Sequence, residues 1–186
     1  MSEKRINLVT ILVGTRGTGK TTFLKKAFEA HRKTVLVLDT FDSPAWQDYP
    51  LVKMDQIGHL KSGVKARCFS SDTNHMMKAV EAKAYNSTLI FEDATKYVGS
   101  KLTPDVKRFV LDSKQKNLDL VFVFHSLASV PSDLIRICDL ITLFKTKDSL
   151  NSFIKHKYPE EGLHKAFERV KAHPSRYYNE TVEYGG

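Results

Sequence analysis

Five runs of apolar, largely β-branched residues punctuate the 186-residue chain: Ile6–Val13, Val35–Asp39, Thr88–Phe91, Val121–Phe124 and Ile141–Phe144. Stretches with helical spacing alternate with them: Thr21–His31, Asn74–Tyr85, Thr103–Lys114 and Ser132–Ile137, the last with Pro131 and Ser132 near its first turn. The strand runs are continuously apolar rather than alternating, which marks strands buried on both faces. With right-handed crossovers, the pattern predicts an α/β fold. It is a doubly wound, mainly parallel sheet of about five strands with helices on both faces, and its ligand site lies at the carboxyl ends of the strands. Thr40–Ser71 is broken by Pro44, Pro50, Gly58 and Gly63, leaving open an edge strand around Ala66–Phe69 or a flexible insertion. Beyond residue 150 the chain turns basic and aromatic. The expected organisation is a core over 1–150 and a C-terminal extension over 151–186. Leu163, Phe167 and Val170 give Gly162–Ala172 a helical stripe, and Tyr177–Gly186 is expected to fray or dock on a partner.

Composition changes this picture little. Apolar residues make up 41% and charged residues 27%, which is ordinary for a water-soluble globular chain. A net charge of +8 suits nucleic acid or an acidic membrane surface, although alone it speaks only to solubility. No run approaches the length of a membrane span, and the first apolar stretch is too short for a secretory leader. A cytoplasmic protein without an integral membrane segment is expected, with peripheral membrane contact left open. Cys68 and Cys138 lack ligand spacing and are expected as reduced core residues. His31, His59, His75, His156, His164 and His173 show no spacing for zinc.

The chemistry begins where the first strand ends. Gly14-Thr15-Arg16-Gly17-Thr18-Gly19-Lys20-Thr21 is G-x-x-x-x-G-K-[ST], the phosphate-binding P-loop. Glycines let the backbone wrap a polyphosphate closely, and the exposed N–H groups at the start of the next helix, continuing into Thr22, attract its anions. Lys20 is expected to reach the outer phosphates, and the Thr21 hydroxyl to bind Mg²⁺. The implied ligand is a nucleoside triphosphate. A P-loop also needs a carboxylate for Mg²⁺ and a group to orient the attacking water. Leu89-Ile90-Phe91-Glu92-Asp93 supplies two adjacent acids at a strand end. The usual order is aspartate then glutamate; with the order inverted, Glu92 is assigned to the Mg²⁺ shell and Asp93 to the water, the opposite division remaining open. His125, ending the fourth apolar run, is a candidate sensor of the terminal phosphate or the lytic water. Asp39 is expected to be structural or to cap the following turn.

Together these pieces resemble the FtsK/HerA superfamily of P-loop motor ATPases over Ile6 to Lys147. The most telling segment is Val121–Phe144: an apolar strand, His125 where relatives carry glutamine, Pro131 before a short helix, and Cys138-Asp139 in place of a Cys-Asn pair before the last strand. In compactness the chain is similar to genome-packaging ATPases of internal-membrane viruses and to small phage assembly ATPases. The resemblance implies a P-loop NTPase fold of the additional-strand class, hydrolysis of ATP with Mg²⁺, action on DNA and a homo-oligomeric ring, often a hexamer. It would act in the host cytoplasm if encoded by a phage. In such rings a neighbour's arginine completes each site. Alignment on His125 puts Lys114 at its place, with Arg108 and Arg136 as alternatives.

Three functions follow from these features. In a DNA translocase, Lys61, Lys65, Arg67, Lys96 and Lys101 are candidate strand contacts, in loops expected near the nucleotide. In a non-translocating assembly or switch ATPase, the aromatic tail (Tyr158, Phe167, Tyr177, Tyr178, Tyr184) would form the protein interface. A small-molecule kinase fits least, because Arg136 is the one arginine between Leu127 and Leu140, too few for a phosphate-clamping lid.

Overall fold

The computed structural model describes residues 7–184. Its strands are β1 (Val9–Val13), β2 (Thr34–Asp39), β3 (Lys65–Phe69), β4 (Ser87–Phe91), β5 (Asp119–Phe124), β6 (Leu140–Phe144) and β7 (Asn179–Glu183). The helices are α1 (Lys20–Ala27), α2 (Thr73–Lys83), α3 (Pro104–Asp112), α4 (Ser132–Ile135), α5 (Ser152–Lys157) and α6 (Glu161–Ala172). One sheet runs in the order β3-β2-β4-β5-β1-β6-β7. The first six strands are parallel and β7 is antiparallel to β6. Strand β5 lies between the strand that feeds the P-loop (β1) and the strand that ends in the acidic pair (β4), which is the additional-strand arrangement.

Alternation along each strand sends neighbouring side chains to opposite faces. Ile11, Val13, Leu36, Leu38, Leu89 and Phe91 enter one cluster, which also holds residues of α2, α3 and α6. Leu12, Val35, Val37, Ile90, Val121 and Val123 face the other way, beneath Leu24 of α1 and Trp46. Burial of both strand faces is what the continuous apolar runs predict.

Among the described residues seven strands form rather than five. The irregular stretch does end in an edge strand, with β3 paired along the whole of Val35–Asp39. The other addition, β7, corrects the expectation that Tyr177–Gly186 frays or docks on a partner. It pairs with β6 from Phe144↔Asn179 to Leu140↔Glu183, and Arg169 of α6 clamps Glu180 at 2.6–3.0 Å. Asn-Glu-Thr-Val-Glu carries little strand signal because an edge strand needs few apolar side chains once its backbone is paired. Gly185 and Gly186, like Ile6, lie outside the described residues. The remaining segments of the tail are equally integral. Ile154, Tyr158, Leu163, Phe167, Val170 and Tyr184 belong to the main core, and the fully buried Tyr158 donates its hydroxyl to Leu127 O at 2.8 Å. Tyr158, Phe167 and Tyr184 are therefore not available as a partner surface.

The Cys138-Asp139 pair is a structural fastener. Asp139 Oδ2 accepts from Val9 N at 2.7 Å, its N–H donates to Val9 O at 2.8 Å, and its carbonyl accepts from Tyr184 N at 2.8 Å. Cys138 is buried and burial pushes its thiol up to about 12, so it remains a small apolar filler.

Phe91 concentrates the core beneath the acidic pair. Its ring stacks on Phe122 at 4.6 Å and meets Tyr97 and Phe109 edge-on at 5.3 and 6.5 Å. Phe91→Ala is expected to destabilise the protein by about 3–5 kcal/mol, read as a lower denaturant midpoint in chemical unfolding.

Candidate nucleotide site

The P-loop is held at its base by the two strands flanking β1. Gly14 N donates to Phe124 O at 3.1 Å and Thr15 N to Lys145 O at 2.9 Å. A Cβ on Gly14 would lie 2.5 Å from Phe144 Cβ, so the loop leaves the sheet through a gap with no room for a side chain. Gly19 turns the chain into α1 at φ 89°, a left-handed conformation that favours glycine. Thr18 closes the turn from inside, donating to Thr15 O at 2.8 Å.

Lys20 is only 7% exposed. Its ammonium donates to Gly14 O at 2.6 Å and Thr15 O at 3.0 Å, and burial brings its pKa down to about 8. A cavity of about 580 Å³ opens beside it, lined by Arg16, Gly17, Gly19, Lys20, Thr21 and Thr22 on the loop side. Asp39, Phe41, Ser43, Glu92, Asp93 and His125 also line it. Of the predicted loop residues, Gly14, Thr15 and Thr18 form the frame rather than the lining.

The inverted acidic pair does converge on this cavity. Glu92 directly follows the last β4 residue, where Trp46 Nε1 donates to its Oε2 at 3.2 Å. Burial raises its pKa above the usual glutamate range, against the opposing pull of Trp46 and Lys20. Asp93 adopts φ 53°, ψ 64°, the left-handed region rarely taken by a side-chain-bearing residue. That break in the pleat brings two consecutive side chains onto one cavity, where strict alternation would send them to opposite faces. Thr95 Oγ1 donates to Asp93 Oδ1 at 2.5 Å.

His125 follows β5 directly. Its Nδ1 is buried and has no hydrogen-bond partner among the described residues, and burial followed by the charge of Lys20 lowers its pKa, so the imidazole is neutral at pH 7. Asp39 plays the capping role expected of it, accepting from Phe41 N at 3.0 Å and Ser43 N at 2.6 Å.

The three candidate in-trans cations stand away from this cavity. Arg108 lies on the exposed face of α3 and pairs with Glu81 at 3.2 Å and Asp105 at 3.5 Å. Lys114 and Arg136 are exposed in the loops that enter β5 and β6, at the amino edge of the sheet opposite the P-loop. Among the candidate strand contacts, Arg67 is corrected: it is buried in β3 and paired with Asp42. Lys61 and Lys65 are corrected as well, since they precede or open β3 and so lie at the amino edge. Lys65 is further committed to Glu29 O. Lys96 and Lys101 remain exposed after β4, on the nucleotide edge.

Sequence reasoning missed Trp46 and Asp148. Asp148 accepts from Leu127 N at 2.8 Å and Thr146 Oγ1 at 2.7 Å, and so ties the loop after β5 to the loop after β6. Neither residue sits in a local motif, and no spacing would have pointed to them.

No protein-family model and no curated protein matches the chain. Solved structures do. The genome packaging NTPase B204 from Sulfolobus turreted icosahedral virus 2, in complex with sulfate, is similar at a TM-score of 0.76 and 17% identity, over 98% of this chain and 93% of that one. The same protein in complex with ATP-gammaS gives 0.74 and 17%, over 96% and 92%. B204, the DNA-packaging ATPase from Sulfolobus turreted icosahedral virus, gives 0.75 and 16%, over 97% and 94%. At such identities the likeness establishes the fold: this chain has the α/β architecture of a P-loop NTPase, extending through the C-terminal strand.

Because its pKa is raised in the folded state, protonated Glu92 favours folding. That contribution is full below the ordinary glutamate range and is lost as pH rises through the raised value. Glu92→Gln is therefore expected to flatten the decline of the denaturant midpoint as pH rises above the ordinary glutamate range, and to raise that midpoint once Glu92 is ionised, measured by urea unfolding across pH.

Proposed function

We propose that this chain is an ATP-hydrolysing motor that packages or translocates DNA for a phage or related mobile element, working in the host cytoplasm as a homo-oligomeric ring. One observation carries the proposal. A P-loop lysine, two adjacent carboxylates and a neutral histidine whose Nδ1 lacks a partner meet in one cavity at the carboxyl edge of the sheet. The likeness to genome-packaging NTPases over nearly the full length of both chains supports the choice of DNA as substrate.

In this mechanism the loop amides and Lys20 bind the triphosphate. Breaking the Lys20 contacts to Gly14 O and Thr15 O exchanges two neutral acceptors for phosphate anions, which favour the charged ammonium. Thr21, Glu92 and Asp93 offer hard oxygen donors to the same cavity, a set that fits Mg²⁺. When bound, Mg²⁺ would neutralise charge developing on the phosphates. Glu92, held by Trp46, is assigned to that shell. Asp93, turned outward by its backbone, is assigned to orient the water and accept its proton as the γ-phosphoryl group leaves ADP. His125 Nδ1 would hydrogen-bond the terminal phosphate or that water, so β5 senses the nucleotide state.

Arg16, on the loop itself, is the one arginine among the described residues that lines the chain's own cavity, and a ring would supply a second from a neighbour. Arg136 is exposed at the opposite edge and makes no ion pair among the described residues, whereas Arg108 is already committed to Glu81 and Asp105. Arg136 also offers the planar fork that Lys114 lacks. It is the best candidate to complete a neighbour's site, and Lys96 and Lys101 are the best candidates to touch the DNA backbone. No helix among the described residues is long and apolar enough to cross a membrane.

The test is ATP hydrolysis by the purified protein with duplex or single-stranded DNA across a salt series. Stimulation that collapses as salt rises is expected, because phosphate contacts release counterions. Hydrolysis indifferent to both DNAs would count against translocation. Asp93→Asn should retain ATP binding and lower turnover by roughly two orders of magnitude or more. The same phenotype from Glu92→Gln, with Asp93→Asn active, would reverse the two roles.

A further inference from the structure

The segment from His173 to Tyr178 lies against the P-loop, although Arg176 and its partner Arg16 are 160 positions apart. Both ends of the segment are fixed. His173 O accepts from Lys145 Nζ, and the Lys145 carbonyl accepts from Thr15 N at 2.9 Å. The His173 ring stacks on Tyr178 at 3.9 Å, and β7 begins one residue later. Between these anchors Arg176 Nη2 donates to Arg16 O at 2.9 Å and covers Gly17. Next to it the Tyr177 ring leans on Gly19, its Cδ1 3.2 Å from where a Cβ would stand, yet Tyr177 is 66% exposed. A large ring held by a rigid strap but left open to solvent presents an aromatic face at the rim of the loop, beside the first turn of α1.

We propose that Tyr177 is the stacking platform for the nucleotide base, an inference that rests on the nucleotide-binding function proposed above. With the outer phosphates at Lys20 and the acidic pair, the nucleoside would leave the loop past Thr21 and Thr22, close to Gly19, on which the Tyr177 ring leans. The competing aromatic is Phe41, also exposed. It lines the cavity together with the acidic pair, and its ring already carries Lys96 Nζ at 5.1 Å. Stacking accepts any base with a π-face, so this platform supplies affinity for the nucleoside without selecting among bases.

The experiment compares MgATP with magnesium tripolyphosphate by calorimetry, using the full chain as wild type, Tyr177→Ala, Tyr177→Phe and Phe41→Ala. The wild type is expected to bind ATP more tightly than tripolyphosphate. Tyr177→Ala should weaken ATP by at least about fivefold, the lower end of a base–aromatic stack, with tripolyphosphate affinity unchanged. Tyr177→Phe should retain the wild-type preference. Equal weakening of both ligands in Tyr177→Ala would show that the ring acts on the loop and overturn the proposal. So would an unchanged preference in Tyr177→Ala, or its loss in Phe41→Ala alone. A wild type that binds neither ligand would instead sink the nucleotide function itself, and this inference with it.

Discussion

The partial burial of opposite charges at the carboxyl edge of the sheet is the constraint around which this molecule is arranged. Lys20 and Glu92 are both withdrawn from water, and burial pushes the lysine down and the glutamate up, each toward its neutral form. Each charge relieves part of the other's cost, and neutral partners supply the rest: Gly14 O and Thr15 O for the ammonium, Trp46 Nε1 for the carboxylate. A site of this kind is preorganised for an anion. A polyphosphate would exchange the Lys20 contacts with loop carbonyls for charged acceptors and so offset the solvation that folding removed.

That arrangement requires the P-loop carbonyls to be fixed, and they are fixed by strands on both sides. Phe124 O holds Gly14, and Lys145 O holds Thr15. Strand β6 is in turn held by Asp139 against β1 and by β7 along its outer edge. The C-terminal residues are thus mechanically continuous with the phosphate loop, through Lys145 at one point and Arg176 at another. A change in loop conformation would be felt in the tail, and the reverse.

What could be read from the sequence divides along the same physical line. Elements with strong local signals were legible: continuous apolar runs gave β1, β2, β4, β5 and β6, and the glycine spacing gave the loop. The meeting of Glu92 and Asp93 with the P-loop was legible because the two acids are adjacent at the end of an apolar run. Strand β7 was not, because its stability comes from pairing with β6 rather than from its own side chains. The edge assignments of Lys61, Lys65 and Arg67 failed for a related reason. Composition marks a charge, but only the direction of β3 decides which edge of the sheet bears it, and only the fold brings Asp42 to Arg67. Trp46 and Tyr177 reach the site across long stretches of chain, so no local pattern marks them.

The inverted order of the acidic pair shows how backbone geometry can offset a departure in sequence. In an unbroken strand, residues 92 and 93 would point to opposite faces and one carboxylate would be lost to the site. The left-handed turn at Asp93 abolishes that alternation at the cost of an unfavourable backbone conformation, which the Thr95 hydrogen bond helps to hold. Glu92 is then held by Trp46 Nε1 and Asp93 by Thr95 Oγ1, so the order Glu-Asp delivers two carboxylates to one cavity.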